Sequence, residues 1–445
     1  MSMKKVICLL LCLMMVAGLC ACAAKPAESA SEPAESTPAD AAQSAAEPAA
    51  EPTTEEAEPI VLNIWDFHNG SEAEGVQDMV DRYNASHAGV RVEYTSVNQT
   101  DYTTTLVTTA FANGECPDIL WVEPATYNKF VEAGILADLT AYYSDELLAD
   151  IRPACIDAAT ADDGKIYTLP FECETLGLFY NADVLAEAGI TPPATWDEMK
   201  AAAAALTTDD MYGLVLPVED TAYTLFNWWP FMWMDQASVY GENGELSINS
   251  PEMADALDFW GSFYQNGYCP SSLQDGPWSI DNIGNGVTAM QVGGTYMINA
   301  AEAYAEQGVN IGVVPLPSPD GSTYYTVAGG QMIGVCSQSK NVDAAADFIF
   351  WCFGDTEDSS NVAKWCTSVK FAYPARKSVV ELNKDVFESG LKKEFTAFYD
   401  TAIPEPQYSS AVTDIVGDML QNVMFGGYTG ADAAAEAEVQ IQALG

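Results

Sequence analysis

The chain has 445 residues, of which 64 are Asp or Glu and 17 are Lys or Arg, for a formal net charge of −47. So acidic a surface repels nucleic acid and anionic lipid and disfavours polyanionic ligands, while leaving neutral ones open. With two histidines and no CxxC pair, neither a metal site nor a cofactor is expected.

Read in chain order, Lys4 and Lys5 precede the apolar run VICLLLCLMMVAGL and small residues ending at Cys22, the layout of a secretory signal rather than of a membrane span. Residues 1–21 are accordingly assigned to a signal peptide. The segment LCAC at 19–22 resembles the lipobox of bacterial lipoproteins, with Leu19 three before the acceptor, Ala21 directly before it and Cys22 lipidated after cleavage. Cys20 as acceptor fits worse, and an ordinary signal peptide that happens to carry cysteines is the alternative. Ala23 to Pro59 is almost wholly Ala, Glu, Pro, Ser and Thr, with no aromatic residue and one basic residue, Lys25. It buries too little apolar surface to order itself, so 22–59 is expected to be a lipidated, disordered tether spanning roughly 35 Å.

The body, 60–445, is long enough for two lobes of α/β size. PIVLNIWDF at 59–67 alternates as a strand, SEAEGVQDMVDRYNASHAG places Val76, Met79, Val80 and Tyr83 at helical spacing, and VRVEYTSV alternates again. This β-α-β order predicts a parallel sheet with helical crossovers. A helix ending at Gly114 and a short buried strand in PDILWVEP follow. Ligands gather outside the carboxyl ends of strands in such sheets, where Trp65, Asp66, Trp121 and Glu123 fall. Farther on, LGLFYNADVLAEAGI reads as strand into helix, TWDEMKAAAAAL as a helix capped by Thr195 with Glu198 three on, and GVTAMQVGGTYMINAAEAYAEQG as strand, glycine turn and helix. Residues 411–425 predict an amphipathic helix.

The stretch FNWWPFMWMD at 226–235 is too short to span a bilayer, which leaves core or binding surface. Tryptophan brings a flat face and an N–H that wants a partner, so three within six positions are costly as filler. Of eleven cysteines, four (Cys8, Cys12, Cys20 and Cys22) belong to the signal and lipobox; Cys116, Cys155, Cys173, Cys269, Cys336, Cys352 and Cys366 remain. Odd in number and widely spaced, they do not predict a disulfide framework and are expected to act as small buried hydrophobes.

An ordered series of segments carries a resemblance: IWDFHNG, RYNASHAGVRVEY, NGECPDILWVE, AGILADLT, DGKIYTLPFECETLGLFYNADVLAEAGI, PATWDEM, GNGVTAMQVGGTYM, GVVPLPSPDG, AGGQMIGVCSQSKNVDAAADFI and YPARKSV. In this order they resemble the extracellular solute-binding proteins of ABC importers, in the carbohydrate-binding group that includes maltose-binding protein. The resemblance implies an α/β, two-lobed periplasmic-binding-protein-like fold, with a hinge and an interlobe ligand cleft. Lobe one would comprise 60–170 with 328–371, lobe two 171–327 with 372–445, and the chain would cross near Leu169–Phe171, Val327–Gly330 and Phe371–Pro374. It also implies a lipid-anchored monomer on the outer face of a bacterial cell membrane, with a small-molecule carbohydrate ligand and the transmembrane subunits of an ABC permease as partners.

By the same resemblance Phe226 and Trp229 would line the cleft, with Trp228 and Trp233 facing either cleft or core, and Trp229→Ala is expected to weaken binding without unfolding. Tyr296 stands where the family often carries a Trp. Asp66, His68, Glu123, Glu172 and Glu174 are candidates to bind hydroxyls, Gly329 and Gly330 to let backbone approach the ligand, and Trp278 and Tyr408 to border the cleft. Arg376 is either a cation near the ligand or a salt-bridge partner of a surface acid. Glu172 and Glu174 imitate a glycosidase pair, yet two residues on one strand face do not readily flank a sugar from opposite sides, and no GxSxG, HExxH or GxxxxGK[ST] occurs, so catalysis is not expected. Rival readings are a polyamine or peptide binder and a surface adhesion or signalling lipoprotein.

Overall fold

A computed structural model describes residues 59–98, 101–218 and 222–445; the leader, Cys22 and the tether lie outside the described residues. Among the described residues eleven strands occur in chain order: β1 (Ile60–Asp66), β2 (Val90–Ser96), β3 (Ile119–Val122), β4 (Thr168–Pro170), β5 (Leu176–Asn181), β6 (Tyr212–Val215), β7 (Thr288–Gly294), β8 (Ile311–Val314), β9 (Thr326–Ala328), β10 (Met332–Val335) and β11 (Ala402–Pro404). They form a five-stranded sheet ordered β2-β1-β3-β10-β4, a four-stranded sheet ordered β6-β7-β5-β8, and a pair of β9 with β11.

The predicted β-α-β opening forms as expected. β1 turns Leu62, Ile64 and Asp66 inward, the Gly70–Ser86 helix buries Val76, Met79, Val80 and Tyr83, and β2 runs parallel to β1. All four residues of β3 are buried, as a strand covered on both faces requires. β10 enters this sheet from far along the chain, antiparallel to both β3 and β4.

The second sheet is covered by helices that the pattern also foretold. Thr195 and Glu198 close a reciprocal capping box on the Trp196–Leu206 helix. The Ser410–Met424 helix buries Val412, Val416, Met419, Leu420 and Val423 along one stripe. FNWWPFMWMD forms most of the Ala222–Met234 helix, in which Pro230 has no N–H for the Phe226 carbonyl. Among the described residues no helix is long and apolar enough to cross a membrane.

The chain exchanges between the sheets at three places that lie side by side. β4 still pairs Leu169 with Ile333, so the first exchange begins at Phe171, at the end of the expected window. There the Cys173 amide donates to the Tyr373 carbonyl at 2.7 Å, the Ala375 amide to Phe171 at 3.0 Å, and Glu174 and Gly329 exchange two backbone bonds at 3.1 and 2.8 Å. The first exchange is thereby laced to the other two. One apolar core lies around the five-stranded sheet and continues past these exchanges to Phe179, Val313, Phe387 and Phe395; a second fills the space between the other sheet and its helices.

Candidate functional site

The carboxyl end of β1 delivers Asp66 and, just past it, His68, both buried. Asp66 accepts from the Tyr94 hydroxyl at 2.8 Å and from the His68 amide at 3.1 Å, and its other oxygen lies 2.9 Å from His68 Nδ1. The far ring nitrogen, Nε2, lies 3.0 Å from Gln331 Oε1, which also accepts from Trp121 Nε1 at 2.8 Å. Edge-on packing against Trp121 and Trp365 clamps the imidazole further. Asp66 and His68 are thus an ordered pair locked by β2, β3 and the turn after Gly330.

The two glutamates of PFECE do face one side, as their spacing predicted, and there they meet a cation that sequence reading overlooked. Lys370 Nζ lies 2.7 Å from Glu172 and 2.8 Å from Glu174. Glu172 also accepts from Trp365 Nε1 at 2.5 Å and from the Gln331 amide at 3.1 Å, so both of its oxygens are engaged by protein and none is left for a ligand hydroxyl. Burial, with the Glu172 charge adding to it and Lys370 opposing, pushes the Glu174 carboxyl up to about 7. Lys370 is buried, which opposes its charge, yet the flanking glutamates raise its pKa well above the usual lysine range. This arrangement bears on two rival readings. One ammonium already occupies the two glutamates a polyamine would need and offsets one of their charges, and two carboxylates gripping a single lysine are not poised across a scissile bond.

Next to Glu174 the second lobe contributes aromatics. The Phe226 ring lies against Gly329, where an added Cβ would come within 2.4 Å of it, so a side chain here would displace the ring. At Gly330 the backbone has φ +111°, and a Cβ would lie 2.7 Å from the Glu172 carbonyl, so both glycines answer to close approach by protein. Tyr223, one turn before Phe226, sets its hydroxyl 2.5 Å from that of Tyr296 and packs edge-on to Trp278. Trp278 is 56% exposed, the most open tryptophan among the exposed apolar residues.

Trp229 belongs elsewhere. It is 3% exposed, packs on Trp228 and Tyr408, and lies beside Glu405. Its burial corrects the expectation of a cleft-facing ring that truncation leaves structurally harmless. Trp228 is fully buried and Trp233 half-buried, both against the second core. Half-buried Glu405 is pushed up to about 8 by burial and then by the charge of Glu123, so Glu123 faces the segment carrying Glu405 and Tyr408. Asn128, one turn past Glu123, donates to the Tyr408 carbonyl at 3.1 Å and joins that segment to the first lobe.

Arg376 does not join these groups. It is 2% exposed, and its guanidinium donates to Asp150 at 2.8 Å and to the Asp355 carbonyl at 2.7 Å, so the salt-bridge alternative holds and a ligand-facing cation does not. Gln331, Lys370, Trp365, Tyr223 and Glu405 escaped the sequence reading. Two of them carried a positional signal: Gln331 directly follows Gly329–Gly330, and Lys370 directly precedes the expected third crossing.

Two α/β lobes joined by three adjacent exchanges, with aromatics and buried acids gathered beside them, have the architecture of a binding protein. Residues 78–395 match the family described as bacterial extracellular solute-binding protein, and the chain belongs to that family. It is 25% identical over 320 residues to the putative ABC transporter periplasmic-binding protein YcjN of Escherichia coli strain K12, spanning 68% of this chain and 70% of YcjN. With the maltodextrin-binding protein MdxE of Bacillus subtilis strain 168 it shares 26% identity over 319 residues, 66% of this chain and 68% of MdxE. The crystal structure of the cyclic alpha-maltosyl-1,6-maltose binding protein from Arthrobacter globiformis has the same fold, with a TM-score of 0.71 at 24% identity over 86% of this chain and 98% of that one.

Proposed function

We propose that the chain captures a neutral sugar or oligosaccharide between its lobes and delivers it to the transmembrane subunits of an ABC importer. One observation carries the choice of ligand: Tyr223, Phe226, Trp278 and Tyr296 gather beside Glu174, whose charge Lys370 balances. Aromatic planes take the C–H faces of a sugar ring, and a balanced acid serves hydroxyls better than it serves a cation. Relatives whose names specify maltodextrin or a maltosyl-maltose as ligand support the same class. In this reading Glu123 and Glu174 bind hydroxyls, Phe226, Trp278 and Tyr296 supply planes, Asp66 and His68, whose polar atoms are all engaged by protein, brace the floor of the site in place of contacting a ligand, and Glu172, Gly329 and Gly330 shape the hinge. The lobes divide as 60–170 with 328–371 and 171–327 with 372–445, and close by rotation about the three exchanges. The protein is a monomeric, non-catalytic receptor held on the outer face of the membrane through Cys22.

Thermal unfolding of the protein across mono- and oligosaccharides, polyamines and short peptides tests the reading. A ligand at 100 times its Kd adds about 2.7 kcal/mol, seen as a raised midpoint. A shift with one saccharide class is expected; a shift with polyamines or peptides alone would discard the sugar, and no shift at all would favour an adhesion or signalling role. Loss of membrane association in Cys22→Ala would support the anchor, and retention would remove it.

A further inference from the structure

Asp66 and His68 are engaged wholly by protein, yet the side chain they hold in place is not. Gln331 stands directly after Gly329–Gly330 and directly before β10, at the carboxyl end of β3, the end of such a sheet at which ligands gather. Its Oε1 accepts from Trp121 Nε1 at 2.8 Å and lies 3.0 Å from His68 Nε2. An indole nitrogen only donates, so this contact fixes which end of the amide is oxygen; turned about, the amide would set its own N–H groups against that of Trp121. Oxygen therefore points inward and Nε2 outward. Among the described residues nothing accepts from Nε2, and the half-buried side chain leaves that nitrogen open to solvent. Resting on the sugar-binding reading, we propose that Gln331 contacts the ligand and sets its specificity, the side-chain amide donating to one hydroxyl oxygen of the bound saccharide.

The surroundings of Gln331 make this donor a fixed one. Behind it runs a buried relay in which the Tyr94 hydroxyl donates to Asp66 at 2.8 Å and Asp66 lies 2.9 Å from His68 Nδ1; Asp66, His68 and Trp121 are each no more than 3% exposed. The Gln331 backbone is held as well, its N–H donating to the Glu172 carboxylate at 3.1 Å. A side chain anchored at its oxygen and its backbone has little rotamer freedom left to lose, so a ligand meets it already ordered. Nearby, Glu123 follows the last residue of β3, and Glu174 is bonded through its backbone to Gly329. An ionised carboxylate only accepts, whereas a hydroxyl can accept and donate at once. A ligand hydroxyl that receives its hydrogen bond from Gln331 therefore keeps its own hydrogen for a carboxylate. A saccharide without that hydroxyl strips water from the amide and gives it no partner, which is how a built polar site rejects a deoxy analogue.

Calorimetric titration of the protein with maltose, maltotriose and the other saccharides of the thermal panel tests this. Gln331→Glu keeps an oxygen for Trp121 and His68 and replaces the outward N–H groups by an acceptor, while Gln331→Met removes the donor without adding charge. Both variants are expected to melt cooperatively and to bind the sugar at least about tenfold more weakly than wild type. Monodeoxy derivatives of the same sugar separate contact from a merely structural role. One of them should bind wild type more weakly than the parent sugar does, yet bind Gln331→Met as well as the parent does, so that the two losses do not add. Wild-type affinity in both variants, or losses that add for every monodeoxy sugar, would overturn the proposal and leave the sugar reading standing. Silence of the wild-type protein toward every saccharide would discard the two together.

Discussion

Lys370 Nζ lies 2.7 Å from the Glu172 carboxylate, and this one contact ties the chain just before its third exchange to the chain within its first. The Gln331 amide, from the second exchange, reaches the same glutamate oxygen. Because Glu174 shares the ammonium, a single buried charge cluster sits where any lobe rotation must pivot.

Removing the cation should therefore be severe. Lys370→Met leaves two glutamates buried against each other, and breaking one side of a buried ion pair costs about 3–5 kcal/mol. A urea unfolding curve should show a lower midpoint with its slope retained. An unchanged midpoint would mean that the cluster contributes nothing to stability.

The acids with raised pKa give a pH dependence whose sign is definite. Glu174, raised to about 7 by burial and then by Glu172, and Glu405, raised to about 8 by burial and then by Glu123, bind protons more tightly folded than unfolded. Asp235, raised to about 6 by burial and then by Asp255, acts in the same direction. A raised folded pKa gives stability that is complete below the unfolded value and is lost as pH rises through the folded value. The protein should accordingly be more resistant to urea at pH 5.5 than at pH 8.5, with the loss beginning at about pH 4 and complete soon after about pH 8. Glu405→Gln should flatten the upper part of that slope; greater stability at pH 8.5 would refute the assignment.

Two tryptophans should separate folding from binding. Trp229→Ala removes a ring that is 3% exposed and should cost about 3–5 kcal/mol of stability, as large-to-small changes in cores do. Trp278→Ala, at a ring 56% exposed, should leave the melting midpoint nearly unchanged yet weaken sugar binding by about 1–2 kcal/mol in calorimetric titration. Unaltered affinity in Trp278→Ala would remove that ring from the proposed site.

Gly330 joins a positive φ to a close backbone neighbour. At φ +111° with a Cβ 2.7 Å from the Glu172 carbonyl, Gly330→Ala meets strain and a clash together. A loss of about 1–3 kcal/mol in thermal or urea unfolding is expected. A wild-type midpoint would show that the exchange relaxes around a methyl group.

What the sequence by itself determined was whatever short-range periodicity and composition encode. The β-α-β opening, the Thr195–Glu198 capping box, the helix over 411–425 and the pairing of Glu172 with Glu174 on one side follow from spacings of two, three and four residues, which the backbone converts directly into shared faces. The ordered run of segments carried the family resemblance for the same reason: it lies along the chain. Only the tertiary structure decided which of these groups meet. Lys370 pairs with acids nearly two hundred residues earlier, Gln331 bridges His68 and Trp121, and Trp229 turns inward while Trp278 stays open. The first two depend on β10 being inserted between β3 and β4 and on the three exchanges running side by side. Contacts of that range are set by the packing of whole sheets, and local periodicity carries no trace of them.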